Sequence, residues 1–155
     1  MKPPPHERLS AGLMGLTSIK VQPLIDLAAA AIGPATPASQ AADYRHRLVD
    51  VAIRQRVLEL TVFRTLTAAA RTGVPGPESS TLKLFWSMLG TEQVNLAVDL
   101  LGAAGMLAGP HAPLDGEVVD AWSFAPSFHI GGGNDEVQRT VIAEHVLGLP
   151  REPKA

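Results

Sequence analysis

Residues 129–151 read HIGGGNDEVQRTVIAEHVLGLPR, and this stretch decides how the rest of the chain is interpreted. It contains three consecutive glycines, Gly131, Gly132 and Gly133. Because glycine has no Cβ, the backbone amides of such a run can approach a ligand or a partner chain closely. We therefore predict a flexible turn whose backbone is open to a ligand.

The residues after the glycines predict an amphipathic helix over Asp135–Leu147. Asn134 or Asp135 can cap its first turn, and the acidic side chains there suit the positive end of a helix. Apolar residues then recur at helical spacing, at Val137, Val141, Ile142 and Val146. Gly148 and Pro150 end the helix.

The composition indicates a globular helical domain spanning residues 1–155. Hydrophobic residues make up 46% of the chain, mostly Ala and Leu, which favour helices. The formal net charge of −2 provides no basic surface for nucleic acid. Cysteine is absent, which is compatible with a cytoplasmic location, and the five histidines lack the spacing of metal ligands. The longest apolar run, Leu27–Ile32, is too short to span a membrane.

Three further helical segments are predicted, so the expected fold class is an all-α four-helix bundle. The first segment, Glu7–Ile32, contains Pro23, which either kinks it or begins a second helix there. The next segment, Ala41–Arg71, is the clearest, with Ser39 as a plausible cap and Gly73 as its end.

The third segment, Glu78–Met106, is apolar on more than one side. Such a helix is usually central, or buried against a second subunit, and we expect a homodimer or larger assembly for this reason. Residues 107–126 form a less regular segment, with Trp122 and Phe124 as its expected anchors in the core.

Residues 129–151 also resemble the C-terminal signature of acyl-CoA dehydrogenases, roughly Gly-Thr-x-Glu-Ile-Gln-Arg followed by Ile-Ala-Glu-x-Val-Leu-Gly-Leu-Pro. Other stretches are similar to parts of the same C-terminal domain. Residues 6–16 resemble its opening, residues 75–84 the turn into its third helix, and residues 100–107 the end of that helix. Together these stretches cover nearly all of the chain, in order.

The resemblance implies a fold and a chemistry. Members oxidise the α,β bond of an acyl-CoA thioester: a carboxylate removes the α proton while FAD accepts a hydride from the β carbon. Full-length members have an N-terminal helical domain, a middle β domain and a C-terminal four-helix domain, with FAD between the last two and touching a neighbouring subunit. The resemblance therefore implies a chain that acts beside the other domains or another polypeptide, and that alone is inactive and holds FAD weakly or not at all.

The catalytic base has two positions in the family. In many members it is a Glu directly before the Gly-Thr of the signature, where this chain has Gly132, which cannot accept a proton. A second subgroup carries the base in a Glu-Arg pair that opens the first helix, and that position matches Glu7. Judged from the residues alone, Glu7 is also a common kind of exposed first-turn glutamate.

The cofactor contacts implied by the resemblance lie in the glycine run and just after it. They are Gly131, Gly132, Gly133, Asn134 and Glu136. In the family, a Thr and a following acidic or amide residue touch the adenosine part of FAD. Asn134 stands at the position of the Thr, and Glu136 at the position of the acidic or amide residue. The family's Arg-x-x-Phe-Gly motif has no clear counterpart within Ala30–Thr36. An ordinary glycine loop before a capped helix is the alternative interpretation.

Two functions remain open at this point. The chain is either the C-terminal domain of a flavin-dependent acyl-CoA dehydrogenase, binding acyl-CoA when complemented, or a non-catalytic helical module for oligomerisation. Both imply a second copy of the chain or a complementing acyl-CoA dehydrogenase subunit as the partner.

Overall fold

The computed structural model describes residues 20–74, 76–77 and 79–151, which form five α-helices joined by short 3-10 and π segments. The helices are α1 (Val21–Ala31), α2 (Ala38–Thr72), α3 (Ser79–Leu101), α4 (Glu117–Phe124) and α5 (Asp135–Val141). No strand occurs in these residues, so the predicted all-α fold is confirmed.

Helix α3 is the centre of the molecule, because it contacts each of the other four helices. Leu82, Leu89 and Val94 on this helix are fully buried. The predicted central position is therefore confirmed. The argument that α3 needs a second subunit to cover it is wrong, since helices of the same chain already cover its apolar sides.

Helix α1 shows how Pro23 is accommodated. The helix begins at Val21, so Pro23 lies in its first turn, where the backbone N–H groups have no helical partner in any case. Of the two outcomes predicted for this proline, the start of a helix is the one observed. Leu24 and Ala28 of α1 enter the common core.

Helix α2 is longer than predicted at its start. It begins directly after Pro37, so Ser39 lies inside the helix and the prediction that it caps the helix is wrong. The helix ends as predicted at Gly73, whose φ of 80° is left-handed and whose amide donates to the carbonyl of Ala69. The helix packs on α3 and on α1, and Val51 and Leu58 belong to the common core.

Helix α3 ends at Leu101, before the predicted end at Met106, and residues 102–106 form a 3-10 turn. Residues 107–126, which were expected to be less regular, contain helix α4 at Glu117–Phe124. The expected anchors are wrong, because Trp122 is 42% and Phe124 is 54% exposed. Val118 and Phe128 are buried instead, and the Phe128 ring packs on Trp86 with a centroid distance of 4.9 Å.

The last helix changes type along its length. Helix α5 covers Asp135–Val141 and continues as a π segment over Ile142–Val146. Its predicted apolar face is only partly covered, since Val137 and Val146 are exposed. The buried residue of α5 is Gln138, a polar side chain that holds the glycine turn.

Candidate functional site

The Gly131–Gly133 turn connects the 3-10 segment Ala125–His129 to α5 and is exposed. Gly132 and Gly133 have φ values of 73° and 97°, which side-chain-bearing residues rarely adopt. A Cβ at Gly133 would lie 2.6 Å from the Gln138 Nε2 atom, whereas a Cβ at Gly132 would meet nothing within 4 Å. Both positions therefore favour glycine through backbone conformation, and a side chain at position 133 would in addition displace the end of the Gln138 side chain.

Two hydrogen bonds hold the turn from inside the chain. The Gly131 amide donates to the Ser127 carbonyl at 2.9 Å, which closes the start of the turn. The Gln138 Nε2 group donates to the Gly132 carbonyl at 2.8 Å. The amides of Gly132 and Gly133 make no hydrogen bond within the described part of the chain, and they are left as donors at the surface.

The residues at the start of α5 have separate roles. Asn134 is the cap, because its Oδ1 accepts from the Val137 amide at 2.8 Å. This settles the predicted choice between Asn134 and Asp135, and it leaves the Asn134 amide group as a donor. Glu136 is exposed and pairs with Arg139 at 2.8 Å.

A charged network lies behind the turn. The Asp135 Oδ1 atom accepts from Lys83 Nζ at 2.8 Å, and its Oδ2 atom accepts from His129 Nδ1 at 2.6 Å. The buried Ser87 hydroxyl lies 3.2 Å from Asp135 Oδ1. The side chains of Lys83 and Asp135 are each only 13% exposed, so this ion pair is largely removed from water.

The protonation of Asp135 reflects these contacts. Burial raises the pKa of its carboxyl, but hydrogen bonds and charge from Lys83 and then His129 outweigh burial and hold the pKa below its ordinary value of 3.8. Asp135 is therefore a carboxylate at neutral pH, which suits it as an acceptor for both Lys83 and His129.

The histidine in this network invites comparison with a nucleophile–base–acid triad. His129 Nε2 lies 2.8 Å from the Thr91 hydroxyl, and His129 Nδ1 lies against Asp135. However, the Thr91 hydroxyl also lies 3.1 Å from the Ser87 carbonyl oxygen, one turn earlier in α3. A hydroxyl has one proton, so Thr91 donates either to the Ser87 carbonyl or to His129 Nε2, and the tautomer of His129 decides which.

Sequence reasoning missed this network. It treated His129 as a histidine without metal spacing and Asp135 as a possible cap. Their contacts with Lys83 span 46 and 52 residues of chain, and no local pattern reports a pairing at that separation.

Other predicted site residues are not brought together. Glu7 lies outside the described residues, and Gly132 carries no carboxylate. In residues 20–74, 76–77 and 79–151 no group of three metal-binding side chains occurs. None of the helices described is long and apolar enough to cross a membrane.

The order of these features matches a known domain. A family model described as acyl-CoA dehydrogenase, C-terminal domain, matches residues 4–147. This chain belongs to the acyl-CoA dehydrogenase family. The fold found for residues 20–151 is therefore that of an acyl-CoA dehydrogenase C-terminal domain.

Individual relatives agree with the family. Acyl-CoA dehydrogenase IpdE1 of Mycobacterium tuberculosis is 35% identical over 116 residues, which are 68% of this chain and 29% of that protein. Acyl-CoA dehydrogenase FadE26 of the same organism is 39% identical over 80 residues, 50% of this chain and 20% of that protein.

Solved structures show the same fold. The ChsE4-ChsE5 complex from Mycobacterium tuberculosis is similar with a TM-score of 0.66 at 27% identity, covering 85% of this chain and 36% of that chain. The Tcur3481-Tcur3483 steroid ACAD is similar with a TM-score of 0.72 at 22% identity, covering 94% of this chain and 38% of that one. This acyl-CoA dehydrogenase domain thus spans at most about two-fifths of the length of these relatives.

The donors at this turn are chemically suited to the adenosine part of FAD, the part that the resemblance assigns to this region. The two unpaired amides of Gly132 and Gly133 lack side chains that would obstruct an approaching group. The free amide group of Asn134 adds a third donor. Ribose oxygens accept from such donors, so the residues present fit this part of the cofactor.

Proposed function

We propose that this chain is the C-terminal helical domain of a flavin-dependent acyl-CoA dehydrogenase, with residues 1–155 as one domain. It supplies one wall of the FAD site through Gly131, Gly132, Gly133, Asn134 and Glu136. FAD, when bound, accepts the hydride from the β carbon of the acyl-CoA. The observation that carries the proposal is the glycine turn, because the amides of Gly132 and Gly133 are unpaired at the surface and no side chain of their own obstructs a ligand.

The proton is removed by Glu7 in this proposal. Abstraction of a proton next to a carbonyl requires a positioned base, and Gly132 cannot serve at the other family position. A carboxylate at Glu7 matches the Glu-Arg pair that opens the domain in one subgroup of the family.

The domain works with a partner in this proposal. A cofactor site gains most of its affinity by enclosing the ligand on several sides, and the turn offers one side. The similar ChsE4-ChsE5 structure is a complex of two proteins, which supports a complementing acyl-CoA dehydrogenase subunit here. The isolated chain should therefore show no dehydrogenase activity and hold FAD weakly or not at all.

The test is reconstitution with complementing acyl-CoA dehydrogenase domains, followed by acyl-CoA oxidation with an artificial electron acceptor. In the active complex, Glu7→Gln keeps size and hydrogen bonding but removes the basic carboxylate. We expect kcat to fall about a hundred- to ten-thousand-fold while substrate binding changes little.

Arg8→Gln is the matched control, since it alters the neighbouring charge without removing a carboxylate. Full turnover by Glu7→Gln would show that the base assignment is wrong. A yellow protein that retains flavin when the chain is purified alone would contradict the need for a partner.

The second candidate, a non-catalytic oligomerisation module, is favoured by one observation. Helix α2 carries a stripe of apolar residues directed away from the core, each between 47% and 62% exposed: Val49, Ile53, Val57, Leu60 and Phe63. Their spacing of three and four residues keeps them on one face over roughly 21 Å of helix. An apolar face of this kind is typical of a surface that contacts another subunit.

Light scattering tests whether the α2 stripe joins copies of this chain. If the α2 stripe joins two copies of the chain, Ile53→Asp combined with Phe63→Asp should convert an oligomer into a monomer. Asn95→Asp adds one negative charge at an exposed site off the stripe and should leave the oligomer intact. A stable monomer at all concentrations before mutation would reject homo-oligomerisation and leave the complementing subunit as the partner.

A further inference from the structure

Lys83 contacts both ends of the glycine turn. Its ammonium group donates to Asp135 Oδ1, directly after the turn and its cap, at 2.8 Å. It also lies 3.4 Å from the carbonyl oxygen of His129, just before the turn. One lysine on the central helix, with a side chain that is 13% exposed, therefore joins the two segments of chain that enter and leave the turn.

A second contact joins the two ends of the glycine turn. The His129 Nδ1 group and the Asp135 Oδ2 atom are 2.6 Å apart, although six positions separate the two residues. The ring is held from its other side by Thr91 of α3 at 2.8 Å. The contact between His129 and Asp135 thus joins the two ends of the turn, and the contacts with Lys83 and Thr91 attach the turn to α3.

We propose that Lys83 and Asp135, assisted by His129, are positioning residues that hold the Gly131–Gly133 turn in one conformation on α3. The consequence for FAD rests on the function proposed above, whereas the ordering of the turn does not.

The glycine turn needs contacts of this kind to hold one conformation. Glycine loses more conformational freedom on ordering than any other residue, so three in succession do not hold a single conformation unaided. A buried ion pair contributes little net stability once its desolvation is counted, but it does fix geometry. Preorganised donors bind a ligand better than mobile ones, because the cost of ordering them has already been met.

Hydrogen exchange of the full chain, followed by NMR, tests the ordering. The amides to follow are those that bond at the two ends of the turn, Gly131, Val137 and Gln138. In Lys83→Met and in Asp135→Asn we expect them to exchange at least about tenfold faster, with α2 amides unchanged. Lys83→Arg, which keeps the cation, should recover part of the protection.

The matched control is Asp99→Asn, the same chemical change in an ion pair that is 51% exposed at the aspartate. It should leave the turn amides unaffected. Wild-type protein should also show the His129 Nδ1 proton as a slowly exchanging downfield resonance that Asp135→Asn removes. If Lys83→Met does not fold, His129→Gln provides the same measurement.

Unchanged protection of the turn in these variants, or equal acceleration across all helices, would overturn the proposal. FAD retention in the reconstituted complex then tests the link to function. We expect Lys83→Met to hold FAD about tenfold more weakly and Asp99→Asn to hold it as strongly as the unmodified chain. A loosened turn with unchanged FAD retention would refute the cofactor role of the turn while leaving the positioning role intact. A wild-type complex that holds no FAD would refute the proposed function alone.

Discussion

Helices α2 and α3 lie side by side, yet their sequences are under different constraints. In α3 eleven of 23 residues are buried, whereas in α2 only four of 35 are. Helix α3 contacts all the other helices, so about half of its side chains must fit closely against a neighbour. Helix α2 has one face on the core and another directed outward, and that second face is available for contacts outside the chain.

The charged residues follow the same division. The Lys83–Asp135 pair, anchored on α3, is 13% exposed at both side chains and orders a turn. The Arg47–Asp99 pair reaches from α2 to α3 with an equal distance of 2.8 Å, but its side chains are 36% and 51% exposed. The two ion pairs have equal N–O distances, but we expect different interaction energies. Water screens the exposed Arg47–Asp99 pair more strongly than the Lys83–Asp135 pair.

The largest expected difference between the helices is in core stability. Leu89→Ala on α3 removes a side chain with no exposed surface and should lower the free energy of unfolding by about 2–5 kcal/mol. Ile53→Ala on the outer face of α2 should change it by less than about 0.5 kcal/mol in the monomer. Urea unfolding measures both, and equal losses would show that the α2 stripe is covered within the chain.

The sequence predicts the helices well because their signals are local. Gly73 ends α2 because glycine is the residue type that adopts the left-handed conformation without strain. This helix end can therefore be inferred from one residue. Ser39 fails as a cap because Pro37, two residues earlier, already has a conformation that starts the helix. Trp122 and Phe124 fail as anchors because size alone does not determine which face of a short helix is buried.

The candidate site is predicted only in part for the same reason. The glycine run is visible in the sequence, and the residues directly after it predict a cap at Asn134 or Asp135. The contacts of Lys83 with His129 and Asp135 depend on how the end of the chain packs on α3, and residue spacing does not encode that packing. Glu7, the proposed base, lies outside the described residues, so its assignment stays a prediction.

Acid unfolding offers a second, smaller test of the difference between the helices. The pKa of Asp135 lies below its ordinary value because Lys83 and His129 outweigh the effect of burial. The pKa of Glu59 on α2 is also lowered, by hydrogen bonds from Arg56 and then Gln55. In both cases the unfolded chain binds protons first, so the stabilisation is present above the ordinary pKa and is lost as pH falls through the folded pKa.

Salt should distinguish these two carboxylates. Glu59 is exposed, so salt screens its interaction with Arg56. The Debye length falls to roughly 3 Å at about 1 M salt, and Glu59→Gln should then have little effect on the acid transition. Asp135→Asn should reduce the pH dependence of the acid transition at low and high salt alike, because its ion pair with Lys83 is largely removed from water. Free energies of unfolding measured across the acid range provide the comparison, and an equal response of both variants to salt would contradict it.

The smallest effect concerns the Arg47–Asp99 pair. A double-mutant cycle with Arg47→Met and Asp99→Asn measures the coupling between the two side chains independently of their other contacts. Because both are more than a third exposed, we expect about 0.2–1 kcal/mol, near the lower end of that range. Arg47 also lies 3.7 Å from Asp43, so it keeps a carboxylate partner when Asp99 is neutralised, and this reduces the measured coupling further. A coupling well above about 1 kcal/mol would mean that this pair behaves like a buried one, and exposure would then no longer explain why Lys83 and Asp135 order a turn while Arg47 and Asp99 do not.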